Sequence, residues 1–237
     1  MKPDISIILA TYNERGNIEL LIPKIQDALN RKNIEIIVVD DNSPDGTSKI
    51  VQNLQKRSKN IRLITRTSEK GLASALLAGF DAAKGDILIA MDSDLAHDPK
   101  YLPEMIHDVQ KKSIDCIIGS RYLRKSRFIG KPFHKKLASM LGQKLFTSIL
   151  GLPIRDTTNN FRVFKRSLYR DIRKSLHPQG NVMLAEFLYR AYKKGYIMKE
   201  IPILYIERRK GKTKLSLWKE TLNFIRMIGV IKYGTKR

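Results

Sequence analysis

Cysteine is nearly absent: Cys116 is the single one in 237 residues. No disulfide can form within the chain, and a reducing, cytoplasmic setting is expected. Cys116 lies in Asp115-Cys-Ile-Ile-Gly119 and reads as an inert core residue. Long apolar runs are missing too. No stretch of 18 apolar residues occurs, so no transmembrane helix is expected. The apolar segment 5–10 is too short for a secretory signal. Internal repeats and low-complexity tracts are also lacking. Acidic residues are scarce, 23 against 45 basic, for a net charge of +22. They concentrate in the first half, and the chain is strongly basic from Arg121 onward. Such imbalance points to a polyanionic partner: nucleic acid, an anionic membrane surface or phosphorylated substrates.

What is present is a regular first half. Strand-like runs at 5–10, 34–39, 61–64, 87–91 and 114–119 alternate with helical patterns at 17–30, 45–55, 71–84 and 101–111. That alternation predicts an α/β domain with a mainly parallel sheet and helices on both faces. Ligands of such sheets bind at the carboxyl ends of the strands. Four polar clusters fall at those ends: Ala10-Thr-Tyr-Asn-Glu14, Asp40-Asp-Asn-Ser-Pro-Asp-Gly46, Asp92-Ser-Asp94 and Gly119-Ser-Arg-Tyr122. Each alone reads as a turn or helix cap; together they predict one crevice.

Asp92-Ser93-Asp94 is the most telling of the four. Two carboxylates two residues apart converge on one hard cation if the backbone bends at the strand end. Mg²⁺ or Mn²⁺ takes oxygen ligands and bridges few protein carboxylates to a substrate diphosphate. The motif therefore suggests an enzyme acting on a nucleotide diphosphate, although Asp-x-Asp is common by chance.

The second half is less regular. Segment 133–150 carries Leu137, Leu141, Leu145 and Ile149 at intervals of four, with Lys135, Lys136 and Lys144 between them. A basic amphipathic helix suits a membrane surface, and equally an ordinary packed helix. Segment 197–206 reads as a strand pair or one strand broken at Pro202. A basic loop, 208–214, precedes a second amphipathic helix over 215–233. The expected division is a catalytic domain over 1–214 and a C-terminal amphipathic helix over 215–237 in contact with a membrane surface.

Motifs in order along the chain carry a resemblance. They are Thr11-Tyr-Asn-Glu14, Ile37-Val-Val-Asp-Asp-Asn-Ser-Pro-Asp-Gly-Thr47, Lys70-Gly-Leu-Ala-Ser-Ala75, Met91-Asp-Ser-Asp-Leu-Ala-His-Asp-Pro99, Gly119-Ser-Arg-Tyr122, Asp156-Thr-Thr-Asn-Asn-Phe-Arg162, Glu186-Phe-Leu-Tyr-Arg-Ala191 and Gly211-Lys-Thr-Lys-Leu-Ser216. The chain resembles family 2 glycosyltransferases of the GT-A fold, and within them the dolichol-phosphate mannosyltransferases and other polyprenyl-phosphate glycosyltransferases. It departs from their pattern in three places, one of them Gly180-Asn-Val-Met-Leu-Ala-Glu186, where Phe-Gln-x-Glu is usual. Asn159-Asn160 stand where Ser-Gly is usual, and Ala96 stands where a Gln or Ser often contacts the metal.

The resemblance implies inverting transfer of a hexose, with mannose from GDP-mannose the first choice, to a polyprenyl or dolichyl phosphate. A UDP-sugar donor or a glycan hydroxyl acceptor is the alternative. A Mg²⁺ or Mn²⁺ ion on Asp92 and Asp94 would stabilise the departing diphosphate, with Asp94 the firmer ligand and Asp92 nearer the ribose or sugar. Ala10, Tyr12, Glu14, Val39 and Asp41 match positions holding base and ribose, and Ser93 joins the donor set. Tyr12 reads as base contact or as core packing. Arg208 and Lys214 would clamp the diphosphate. Arg121, with Lys135 and Ser139, would meet the acceptor phosphate. That phosphate is already anionic and needs no strong general base; His97 reads as a supporting residue, and Arg162 as structural or acceptor-lining. Expected partners are therefore a nucleotide sugar, a polyprenyl phosphate and an anionic membrane surface, with a separate membrane subunit as another anchor. A basic nucleic-acid-binding protein is the reading of another class, and the strand-end carboxylates oppose it because they repel phosphate.

Overall fold

The computed structural model of the chain describes residues 2–30, 32–111, 113–130, 133–178, 180, 182–206, 228, 229 and 231. The first half folds as its periodicity requires. Strands β1 (Ile5–Thr11), β2 (Ile34–Asp40), β3 (Ile61–Thr65), β4 (Ile87–Asp92) and β5 (Cys116–Ser120) alternate with helices α1 (Arg15–Ala28), α2 (Thr47–Arg57), α3 (Leu72–Ala82) and α4 (Leu102–Gln110). Then come β6 (Arg127–Ile129), α5 (Phe133–Leu150), β7 (Arg162–Lys165), α6 (Arg166–Ile172), α7 (Val182–Lys193), β8 (Met198–Pro202) and β9 (Leu204–Ile206). The last segment is a pair of strands: β8 ends on Pro202, the break falls at Ile203, and the two strands lie in different sheets. The helix expected over 215–233, and the boundary at 214, lie outside the described residues except for three positions near the end.

The main sheet has the order β3-β2-β1-β4-β7-β5-β8, and β6 pairs with β9 apart from it. β1 to β4 are mutually parallel, and β5 is parallel to β8. β7 runs antiparallel between β4 and β5. Its four residues and helices α6 and α7 fall in the part of the chain where the sequence pattern is weak, and they were not among the expected elements.

Both faces of the sheet are covered, which explains strands that are apolar at nearly every position. On one face Ile5, Ile7 and Leu9 of β1 pack with Ile36 and Val38 of β2 against α1, α2 and α4. On the other, Ile8, Ile37, Val39 and Leu88 pack against α3, α6 and α7. Cys116 is buried there, and burial pushes its thiol up to about 12, so it is inert as expected. A smaller cluster joins Phe146 and Leu150 of α5 to Ala185 and Tyr189 of α7 and to Ile231.

The reversed strand matters for function. Because β7 runs against its neighbours, it begins where they end. Residues 156–161, which lead into it, are thereby delivered to the carboxyl ends of β4 and β5. Gly119 makes this junction possible: a Cβ there would lie 2.7 Å from the Phe161 ring.

Candidate active site

Register aligns the strand-end clusters. Ala10 of β1 stands opposite Val39 of β2 and Asp92 of β4, and Thr11 stands opposite Asp40. Between the ends of β1 and β2 and the start of α3 lies a cavity of about 360 Å³ lined by Ala10, Thr11, Tyr12, Asp41, Lys70, Gly71, Leu72 and Ala75. Tyr12 is 51 % exposed, which excludes core packing. The Lys70 ammonium lies 5.4 Å from its ring centroid. An aromatic face beside a cation suits a stacked, phosphate-bearing group. Val39 is buried behind this cavity in the core.

The Asp41 carboxylate is already engaged. It accepts from Arg66 Nε at 2.7 Å and also from Arg66 Nη2, and from the Gly71 N–H at 2.7 Å. Gly71 has φ +128°, a conformation that favours glycine and turns its N–H onto the carboxylate. Asp41 therefore shapes the cavity wall as well as lining it. Glu14 is buried and accepts from Asn17 Nδ2 at 2.6 Å, at the start of α1.

The chain bends at Ser93, directly after β4. Ser93 is buried and donates to the Ala10 carbonyl at 2.9 Å, tying the bend to β1. Asp94 Oδ1 accepts from the Ala96 N–H at 3.0 Å, and Leu95 between them has φ +64°. For a residue with a Cβ that conformation is strained, and such strain tends to sit at functional sites. Asp92 and Asp94 are both half-buried. The donor set is two carboxylates and no nitrogen or sulfur, which fits Mg²⁺ or Mn²⁺ shared with a diphosphate. No cluster of three or more His, Cys, Asp or Glu able to hold a metal occurs among the described residues. Ala96 supplies no side-chain oxygen, so the site is not a cage made by protein alone.

His97 is buried, stacked on Phe161 with centroids 4.9 Å apart. The Asp92 N–H donates to His97 Nδ1 at 3.4 Å, and His97 Nε2 bonds Asn159 Oδ1 at 2.8 Å. Burial lowers its pKa against the pull of Asp92 and Asp94, keeping the ring neutral. It supports the site rather than lining it.

Arg121 follows β5, and its guanidinium is forked onto Asp156, with Nε–Oδ2 and Nη2–Oδ1 both 2.8 Å. Nη2 also donates to Thr158 at 3.1 Å. Burial works to lower its pKa, and the adjacent Asp156 carboxylate more than reverses that. Next to it, Tyr122 Oη lies 2.7 Å from Ser139 Oγ on α5. Lys135 is on the same helix one turn earlier. Arg121, Ser139 and α5 are thus brought to one edge of the crevice. Arg208 and Lys214 lie outside the described residues.

Arg162 is fully buried. It donates to the carbonyls of Asn159, Leu184 and Thr157, and burial brings its pKa down to about 10. This assigns it a structural role, holding the 157–159 loop. The site also recruits residues that no strand-end pattern marked: Arg66, Asp156, Thr158, Asn159, Asn160 and Gln143, which holds Thr157 by main chain and side chain. The Asp156–Arg162 motif was the available signal for most of them.

A crevice at the carboxyl edge of a GT-A sheet, with paired carboxylates beside a nucleotide-sized cavity, defines a glycosyltransferase. The model for "Glycosyl transferase family 2" matches residues 6–173, and the chain belongs to that family. Dolichol-phosphate mannosyltransferase of Pyrococcus furiosus is 36% identical over 215 residues, which are 89% of this chain and 59% of that protein. The chain therefore spans less than two thirds of that relative's length. Polyprenol monophosphomannose synthase of Mycolicibacterium smegmatis is 32% identical over 89% of this chain and 80% of its own. Among solved structures, glucosyl-3-phosphoglycerate synthase of Mycobacterium tuberculosis, in complex with Mn²⁺, UDP-glucose and phosphoglyceric acid, superposes with a TM-score of 0.71. It is 20% identical over 97% of this chain and 79% of that one, a likeness of fold.

Proposed function

We propose that this enzyme transfers a hexosyl group from a nucleoside diphosphate sugar, assisted by a divalent cation. The observation that carries the reading is the register of β1 and β4. It sets Asp92 opposite Ala10, so the carboxylate pair stands beside the cavity of Ala10, Tyr12 and Asp41. Base and ribose occupy that cavity, and the diphosphate reaches the Asp92–Asp94 bend. The cation held there would act as a Lewis acid on the leaving diphosphate. Arg208 and Lys214 would add positive charge on the same group.

For the acceptor, two readings stand. The first is a polyprenyl phosphate met by Arg121, Lys135 and Ser139, in keeping with what the Pyrococcus and Mycolicibacterium relatives are named for. Supporting it, Leu137, Leu141, Leu145 and Ile149 of α5 are all exposed rather than turned to the core. An apolar stripe on a chain of net charge +22 suits an anionic lipid surface. Among the described residues no helix is long and apolar enough to cross a membrane. Peripheral docking on the cytoplasmic leaflet, alone or through a membrane subunit, would bring enzyme and lipid together. The second reading is a UDP-sugar donor or a glycan hydroxyl acceptor. It is in keeping with the Mycobacterium synthase, solved with UDP-glucose and phosphoglyceric acid, while the Pyrobaculum calidifontis mannosyltransferase of the same fold was solved with GDP-mannose and Mn²⁺.

The test is transfer of radiolabelled sugar from GDP-mannose, UDP-glucose and UDP-N-acetylglucosamine, with Mg²⁺ or Mn²⁺, to polyprenyl phosphate in detergent and in parallel to soluble hydroxyl acceptors. Label in the lipid from one donor establishes the first reading and names the sugar. Label in a soluble product alone establishes the second. Label in neither, with no donor hydrolysed, defeats both.

A further inference from the structure

Asn160 is buried, and its carboxamide nitrogen donates to Asp92 Oδ1 at 3.0 Å. Its carboxamide oxygen meets no donor, the one buried side-chain polar atom so placed among the described residues. An acceptor left in this way keeps its full desolvation penalty. Turning the amide over would not relieve it, because that would set its oxygen against a carboxylate oxygen. The orphaned oxygen is thus the consequence of keeping an N–H on Asp92. An apolar side chain would fill the position without that cost.

The neighbouring asparagine reaches the same aspartate by another route. Asn159 Nδ2 donates to the Gly119 carbonyl, which fixes the amide's orientation. Its Oδ1 then receives His97 Nε2–H at 2.8 Å. That tautomer leaves His97 Nδ1 as the acceptor for the Asp92 main-chain N–H. One asparagine therefore acts on the Asp92 side chain and the other, through His97, on its backbone.

We propose that Asn159-Asn160 is a positioning pair for Asp92, holding its carboxylate in the orientation in which it would serve the cation of the donor complex. This rests on the metal-assisted transfer proposed above. A carboxylate held by an amide keeps one orientation, and residues that orient a ligand in this way strengthen metal binding.

The test uses the full chain with Asn160→Ala, Asn160→Leu and Asn159→Ala, and Asp94→Ala as control. Mn²⁺ is titrated in the presence of UDP or GDP, free Mn²⁺ is read by electron paramagnetic resonance, and thermal unfolding is followed alongside. Both Asn160 variants are expected to weaken Mn²⁺ binding about tenfold, the scale of losing a residue that orients a metal ligand. Their unfolding temperatures should stay near the parent's, since the substitutions also remove the orphaned oxygen. Asn160→Leu keeps the branched shape and number of heavy atoms of the side chain and so separates positioning from the loss of packing in Asn160→Ala. Asn160 variants that bind Mn²⁺ within twofold of the parent, while Asp94→Ala does not, would overturn the proposal and leave metal-assisted transfer intact. A weakening that only follows a fall in unfolding temperature would overturn it in favour of a structural role. A parent chain that takes up no Mn²⁺ with either nucleotide would end both.

Discussion

At the residue scale, site residues divide by what their removal does to folding. Asp94 is half-buried at a bend, where its carboxylate accepts from the Ala96 N–H. Asp94→Ala should lower transfer at least about a hundredfold, since the cation's stabilisation is worth several kcal/mol. Its denaturant midpoint should move little. Chelation of divalent ions should reproduce the loss in the parent and add nothing to the variant. Arg121 is different because its partner Asp156 is fully buried. Arg121→Ala would leave a buried carboxylate without its counter-charge, at a cost of about 3 kcal/mol or more. Urea unfolding should report that loss, with activity falling as well. Equal unfolding midpoints for parent and Arg121→Ala would refute the structural part of this role. Tyr12 and Arg162 illustrate how much a residue's meaning depends on exposure. The same sequence reading allowed either residue to be structural or ligand-facing, and burial separated them in opposite directions.

At the element scale, the ends of the strands away from the crevice are also knitted by charge. Glu35 of β2 is buried and accepts from Ser6 Oγ of β1 at 2.6 Å, from the Lys84 N–H after α3 at 2.7 Å and from Arg62 of β3 at 2.8 Å. Burial acts to raise its pKa, but these hydrogen bonds and the Arg62 charge outweigh it and hold the carboxyl below its ordinary 4.5. A lowered acid stabilises the fold above its ordinary pKa, and the contribution fades as pH falls through the folded value. Glu35→Ala should therefore cost about 2 kcal/mol at neutral pH, the scale of hydrogen bonds to a charged group. The gap between parent and variant should narrow as pH drops below 4.5. Unfolding measured from pH 7 to pH 3 checks this; a gap independent of pH would refute the assignment. β7 is the element least visible in the sequence. Its four residues are too few for periodicity to register, and its reversal follows from how the sheet closes.

At the scale of the whole molecule, the exposed face of α5 and the excess of positive charge predict salt-sensitive binding to anionic vesicles. Lys and Arg near such a surface contribute roughly 1 kcal/mol each, and screening weakens this as ionic strength rises. Co-sedimentation with phosphatidylserine vesicles should fall from low to high salt, and Leu141→Glu with Leu145→Glu should reduce it further at every salt concentration. Binding unchanged by both salt and substitution would sink the docking model.

The sequence by itself determined the alternating α/β plan, the two covered faces and the placing of polar clusters at strand ends. It could do so because buried parallel strands and amphipathic helices write their periods directly into local composition. It also marked Asp92-Ser-Asp94, because that chemistry is carried by neighbours in the chain. Only the tertiary structure decided that Asp41 is already held by Arg66 and Gly71, that Arg121 is forked onto Asp156, and that Leu137, Leu141, Leu145 and Ile149 face outward. The same holds for Asn160, which meets Asp92 across 68 positions of sequence. The contacts of Asp156 and Asn160 depend on a strand inserted against the direction of its neighbours, and no local pattern encodes which distant side chain a reversed strand will deliver.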